Sequence, residues 1–187
     1  MRTSTRQRLT STASELFYRD GIGPTTIDAI VEAAGLSKPT LYKYFRSKDE
    51  LVTAVLELRD QEQRRRLAER RDGSENLEER LLAPFRQLVE WGEEADYRGC
   101  ALVIAALELS EPDHPGRDVV HRHKAWLETY FRDIAAELGA DRAQRLARHL
   151  MLLLEGGTVQ QGVRESSRHG TEALETARDV IAATTRS

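Results

Sequence analysis

The chain has 187 residues, five prolines, twelve glycines and 40% apolar residues, the composition of one or two small folded domains rather than of a disordered or fibrous protein. A single cysteine, Cys100, excludes an internal disulfide and fits a reducing, cytoplasmic setting; the opening "MRTSTRQRLTST" has no apolar stretch of signal-peptide length, and the runs "CALVIAAL" and "LMLLL" are far too short to cross a bilayer. The net charge of −3 conceals an asymmetry, since residues 1–48 carry 8 Lys and Arg against 4 Asp and Glu while residues 49–187 carry 20 against 27; unless this is chance, a polyanion contact belongs to the N-terminus.

Helical periodicity runs throughout, with no two-residue alternation to compete with it. Leu9, Ala13, Leu16 and Phe17 predict a first helix from about Thr5 to Asp20, stopped by Gly21. "GIGP" reads as a loop. In "TTIDAIVEAAG", Thr25 is expected to cap a second helix with Asp28 at the reciprocal position; Ile27, Ile30, Val31 and Ala34 face inward and Gly35 ends it. Ser37 caps a third helix from Lys38, and Pro39 is tolerated in its first turn because the missing N–H had no helical partner. "RSKDEL" opens the next helix under Ser47, with Glu50 completing the box. Its stripe of Leu51, Val52, Val55 and Leu58 fades into charge after Arg59, and residues 48–71 would span ~36 Å as an arm between two bodies. After the break "RDGSEN", helices are expected at 77–95, about 98–110, 117–138, 141–165 and 171–184, separated among others by "EPDHPG", "GAD" and "RHGT". The expected fold is all-α, divided into residues 1–47, a connecting helix at 48–71 and a helical body at 72–187.

Two short helices joined by Gly-Leu-Ser, the second under a cap, make a helix-turn-helix. Gly35 permits the sharp exit, Leu36 plugs the angle, and Leu41 and Phe45 hold the third helix on Ile30, Val31 and Ala34. Lys38, Pro39, Thr40, Tyr42, Lys43 and Tyr44 are left facing mainly outward, without an acid among them. That face suits a major groove, where Lys reaches guanine acceptors and Thr or Pro touches a thymine methyl.

The stretch "TTIDAIVEAAGLSKPTLYKYFRSKDELV", preceded by "ASELFYRDGIGPTT", resembles the signature of the tetracycline-repressor-type (TetR/AcrR) regulators over about residues 7–55. "RGCALVIAALEL" resembles a further stretch common in these proteins, while Ile22 and Pro39 stand where the family often has an aromatic residue and a glycine. The resemblance implies an N-terminal three-helix DNA-binding domain and a C-terminal ligand-binding and dimerisation domain. It implies a cytoplasmic, ligand-responsive regulator, most often a repressor, gripping a palindromic double-stranded operator as a homodimer. The sequence holds no nucleophile–base pair, Gly-rich phosphate loop or cysteine cluster of enzymatic spacing, so no enzymatic activity, cofactor, metal or membrane part is expected. A regulator of the same fold without an effector, or an activator, is the alternative. By the same resemblance, Thr25 and Thr26 offer hydroxyl and backbone N–H to a phosphate, Tyr42 and Tyr44 clamp the DNA backbone, and Lys48 meets another phosphate. Lys38, Thr40 and Lys43 address base edges, with Ser37 and Pro39 beside them. The plain alternatives are packing for Tyr44 and a solvated first turn for Lys48.

In the body, 117–138 presents Val119, Val120, Trp126, Leu127, Tyr130, Phe131, Ile134 and Leu138, and 141–165 presents Leu146, Leu150, Met151, Leu153, Leu154, Val159 and Val163. Both faces are wider than one internal core requires, and in the resembled family two such helices per subunit form the dimer interface. Gly156 and Gly157 in mid-helix each cost roughly 1 kcal/mol relative to alanine, which suggests close helix approach or a local bend. The resemblance also implies a cavity for a small apolar effector. Its candidate lining is Phe85, Leu88, Trp91, Val103, Ile104, Leu107, Trp126, Tyr130, Met151 and Leu154, with Glu108 and Glu155 to orient a polar group. Ordinary core packing, or a wet face for the two acids, is the competing reading. His121 and His123 are two apart on a helix and make a poor metal pair, His114 reads as a loop residue, and "RRRLAERR" with Glu62 and Glu69 reads as a solvated helix face. Cys100 reads as an inert buried thiol rather than a redox sensor.

Overall fold

Local capping chemistry sets the chain's first element. In the computed structural model, which describes residues 4–94, 96–164 and 168–186, the Ser4 hydroxyl accepts from the Gln7 N–H at 3.1 Å and Gln7 Oε1 accepts from the Ser4 N–H at 3.0 Å. This reciprocal box opens α1 (Thr5–Asp20), and Gly21 closes it with φ +93°, a conformation that only glycine adopts cheaply. There follow α2 (Ile27–Ala33), α3 (Lys38–Tyr42), α4 (Lys48–Asp72), α5 (Leu77–Gly92), α6 (Ala101–Glu108), α7 (Pro115–Ile134) with a 3-10 turn at Ala135–Leu138, α8 (Ala140–Arg164) and α9 (Arg168–Thr185). The expected all-α fold is thus the observed one. The expected ends at residues 95 and 165 lie outside the described residues. Among those described, no helix is long and apolar enough to cross a membrane.

Packing divides the chain into two units, Met1–Glu62 with Ala101–His121, and Gln63–Cys100 with Arg122–Ser187. This differs from the boundaries at 47 and 72 read from the sequence. The first turns of α4 bury Leu51, Val52, Val55 and Leu56 in the N-terminal unit beside Leu9, Leu16 and Phe17 of α1. α6 adds Leu102 and Ala105 to that unit, although residues 101–121 were expected in the body. Leu56 rather than Leu58 completes the α4 stripe; Leu58 is only half-buried.

The second unit is built around Phe85, Leu88, Leu127, Phe131, Leu146 and Leu150, with Leu67 from the far end of α4 and Ala177 and Ile181 from α9. Pro84 lies inside α5 and cannot donate to the Arg80 carbonyl four residues back. The Tyr130 hydroxyl supplies the missing donor, at 3.0 Å from that oxygen. Gly157 lets α8 and α9 close up, because a Cβ there would stand 2.7 Å from the Ala173 Cβ. At Gly156 a Cβ would meet nothing within 4 Å, so close approach within the chain explains only the second glycine of the pair.

Candidate nucleic-acid interface

The helix-turn-helix is assembled by its caps. The Thr26 hydroxyl accepts from the Ala29 N–H at 3.2 Å and so caps α2. The expected cap, Thr25, is instead buried and donates to the Gly21 carbonyl at 2.6 Å. Only Thr26 of the pair therefore keeps an outward hydroxyl. α2 ends through Gly35 at φ +59°, and the Leu36 N–H turns back to the Val31 carbonyl at 2.8 Å. Ser37 then opens α3: its hydroxyl accepts from the Thr40 N–H at 3.4 Å and lies 2.9 Å from Thr40 Oγ1. Leu41 and Phe45 are buried, as their spacing predicts.

That anchoring turns the other side of α3 outward. Ser37, Lys38, Pro39, Tyr42 and Lys43 are exposed and Thr40 is half-buried; Tyr44, in the turn after α3, is exposed too. Six of the nine basic and hydroxyl-bearing side chains expected to face a duplex thus share one short segment, and Thr25, Thr26 and Lys48 lie outside it. Two of the three expected lysine contacts already have protein partners as well. Lys38 Nζ lies 2.8 Å from Asp28 Oδ1, and that hydrogen bond and charge hold the ammonium above the usual lysine range. Lys48 Nζ donates to the Gly23 carbonyl at 3.1 Å, which leaves it further protons for a phosphate. Asp28, expected at the reciprocal position of a Thr25 capping box, instead pairs with Lys38, because Thr26 and not Thr25 caps α2. At the start of α4 the Ser47 hydroxyl accepts from the Glu50 N–H at 3.1 Å, while the Glu50 carboxylate reaches back to the Arg46 N–H at 2.6 Å. Arg6 lies over the Phe45 ring at 5.1 Å.

The residues expected around an effector separate between the units. Val103, Ile104, Leu107 and Glu108 are on α6 in the N-terminal unit, and Leu107 is 82% exposed. Leu88, Trp91, Leu154 and Glu155 line a pocket of about 20 Å³ in the second unit, together with Gln63, Lys124 and Thr158 among others. Such a volume holds little more than a water molecule. Lys124 Nζ donates to Glu155 Oε1 at 2.6 Å. Phe85 is instead core, 6.2 Å from Phe131 between ring centroids; Trp126 lies under Arg64 at 4.6 Å, Tyr130 is committed to Arg80, and Met151 packs on the core. Lys124 and Thr158 gave no signal in the sequence, where polar residues between apolar ones read as a helix's wet side. Among the described residues no group of three His, Cys, Asp or Glu could hold a metal ion.

Residues 9–55 match the family model described as "Bacterial regulatory proteins, tetR family". Over nearly the whole chain the protein is similar to a TetR-family transcriptional regulator from Streptomyces coelicolor, at 28% identity and a TM-score of 0.89, covering 96% of this chain and 95% of that one. A TetR-type transcriptional regulator from Streptomyces avermitilis is 32% identical with a TM-score of 0.77, covering 93% and 98%. The HTH-type transcriptional regulator YjdC of Escherichia coli is 24% identical over 94% of this chain and 93% of its own. The family match takes in the capped turn and the exposed segment after Ser37, and the Streptomyces likeness carries it through α9: the chain belongs to the TetR family of DNA-binding transcriptional regulators.

Proposed function

We propose that the protein is a ligand-responsive repressor that grips a palindromic operator as a homodimer, with α3 of each subunit in a major groove. The observation that carries this reading is the outward segment from Ser37 to Tyr44, two lysines and two tyrosines without an acid of its own, pinned from behind by Leu41 and Phe45. Lys38, Thr40 and Lys43 address base edges, with Ser37 and Pro39 beside them; Thr26, Tyr42, Tyr44 and Lys48 meet the phosphates. Half-sites would lie about one duplex turn apart.

Support for a homodimer comes from α8. Leu152, Val159 and Val163 are 73%, 48% and 76% exposed and share a face with Gly156. α7, the other helix expected at the interface, buries its large apolar side chains within its own chain, among them Val119, Leu127, Phe131 and Ile134. An effector would act only by favouring one arrangement of α4 over another, and the pocket beside Trp91 and Lys124 is its proposed seat. The narrowness of that pocket favours a second reading, a regulator without a small-molecule effector. A thermal-shift panel of small apolar compounds separates the two: a hit that also weakens DNA binding supports the first, and a silent panel the second.

Selection of bound duplexes from a random pool tests the main reading. A palindrome whose affinity falls steeply with salt is the expected result, because neutralised phosphates release counterions. A non-symmetric site, or an affinity indifferent to salt, sinks it.

A further inference from the structure

Glu108 stands in an electrostatically poor place. It is the last residue of α6, where a negative charge opposes the helix dipole. The end of α6 is already served by Arg117, whose Nη1 donates to the Leu109 and Ala106 carbonyls at 2.7 and 3.3 Å. The Glu108 carboxylate looks elsewhere. Its Oε2 accepts from the Ile22 N–H at 2.6 Å and lies 3.4 Å from the Gly23 nitrogen, in the loop between α1 and α2. Gly21 makes room for it, since a Cβ at that position would stand 3.2 Å from Oε2.

The same loop is tied on its other side. The Gly23 carbonyl accepts from Lys48 Nζ, and the Gly21 carbonyl accepts from the Thr25 hydroxyl. Thr26, four residues after Ile22, caps α2, and α2 carries α3 through Ile30, Val31, Leu41 and Phe45. We propose that Glu108 is a positioning residue for DNA binding: from the end of α6 it holds the backbone of the α1–α2 loop, and through that loop it sets the placement of α2 and α3 for the groove. An expected effector contact thereby becomes a support of the reading head. A ligand in the adjoining pocket between α1, α4 and α6 would compete for a carboxylate already engaged by the Ile22 N–H. The inference rests on the DNA-binding assignment.

The partner of the carboxylate is a backbone N–H, so glutamine of the same length keeps an acceptor while alanine keeps none. The full-length protein, Glu108→Ala and Glu108→Gln are compared on the duplex selected from the pool and on a scrambled duplex of equal length. The Ile22 amide proton is followed by NMR in the free proteins. Glu108→Ala is expected to bind the selected duplex about fivefold more weakly, the worth of one hydrogen bond on a partly exposed carboxylate, and the scrambled duplex about as well as wild type. Its Ile22 amide should move upfield and exchange faster, and Glu108→Gln should restore most of both. Wild-type affinity in Glu108→Ala overturns the proposal. So does an equal loss on both duplexes with a general fall in amide protection, or a Glu108→Gln that fails alongside alanine. Failure of the wild type to bind any duplex would instead strike the DNA-binding assignment, even if the Ile22 amide behaves as expected, and this role with it.

Discussion

Tyr130 stands where a proline has removed a hydrogen bond, and its environment makes that substitution measurable. Burial pushes its phenol up to about 12, against 10.0 for an ordinary tyrosine. The folded state therefore holds this proton more tightly than the unfolded chain, so the stability it contributes is full below pH 10 and is lost as the pH rises towards 12. Tyr130→Phe keeps the ring and deletes the donor to Arg80. It should cost about 1 kcal/mol at neutral pH, and the gap between variant and wild type should narrow above pH 10. Urea unfolding from pH 7 to 11.5 measures both; an alkaline loss in the variant that parallels wild type would refute the assignment. Lys43 and Lys48 differ in a comparable way. Lys43→Ala should cost about 1–3 kcal/mol on the selected duplex and relax base preference at one position. Lys48→Ala should weaken all sequences alike and reduce the salt slope by about one. Fluorescence anisotropy on selected and scrambled duplexes at several salt concentrations distinguishes them, and equal losses with preference intact would show the roles misassigned.

At the scale of single elements, α8 offers an internal control, because its two adjacent glycines have opposite surroundings. Gly157→Ala drives a methyl against Ala173 at 2.7 Å and Leu88 at 3.1 Å, so it should destabilise by about 1–3 kcal/mol. Gly156→Ala meets nothing within the chain and should stabilise the subunit by about 0.5–1 kcal/mol. With both substitutions measured in the Leu152→Asp background, where no dimer contact involves Gly156, denaturant midpoints that move in the same direction would contradict the packing of α8 on α9. The limits of sequence reading show in the same elements. The span of α1 and the start of α3 were legible, because Gly21, Ser37 and the apolar spacing act within a turn or two of themselves. Thr25 and Thr26 were not separable, since each has an N–H three residues on; the distant decision is made by the Gly21 carbonyl, which captures the Thr25 hydroxyl. α6 was legible as a helix but not as a member of the N-terminal unit, because periodicity reports that a face is buried and not what covers it. The exposed segment after Ser37 was readable for the converse reason: it needs only a cap, two inward residues and an outward remainder. For Glu108 the one signal was its position, an acid at the wrong end of a helix.

For the whole molecule the question is whether α8 alone can seat a second copy. A leucine and two valines from each subunit cover far less than the roughly 800 Å² per partner that a stable dimer buries. In the proposed homodimer the rest of the same α8 face would therefore take part, and it is basic, with Arg145, Arg148 and His149 exposed along it. A two-fold axis resolves the conflict. If α8 crosses its copy perpendicular to the axis, the two helices run antiparallel about a point near Gly156. The apolar half then meets its twin across the open glycine, and the basic ends are carried apart. Leu152→Asp tests this arrangement cleanly, because a side chain 73% exposed in one subunit can change without a large effect on the fold. The variant should sediment as a monomer with its helical circular dichroism intact. Its affinity for the selected palindrome should fall by about 100-fold or more, since the second half-site no longer benefits from effective concentration, while its affinity for an isolated half-site stays at the wild-type value. A Leu152→Asp protein that remains dimeric would place the partner on another face, and one that is monomeric yet grips the full palindrome undiminished would break the link between two-fold symmetry and operator recognition.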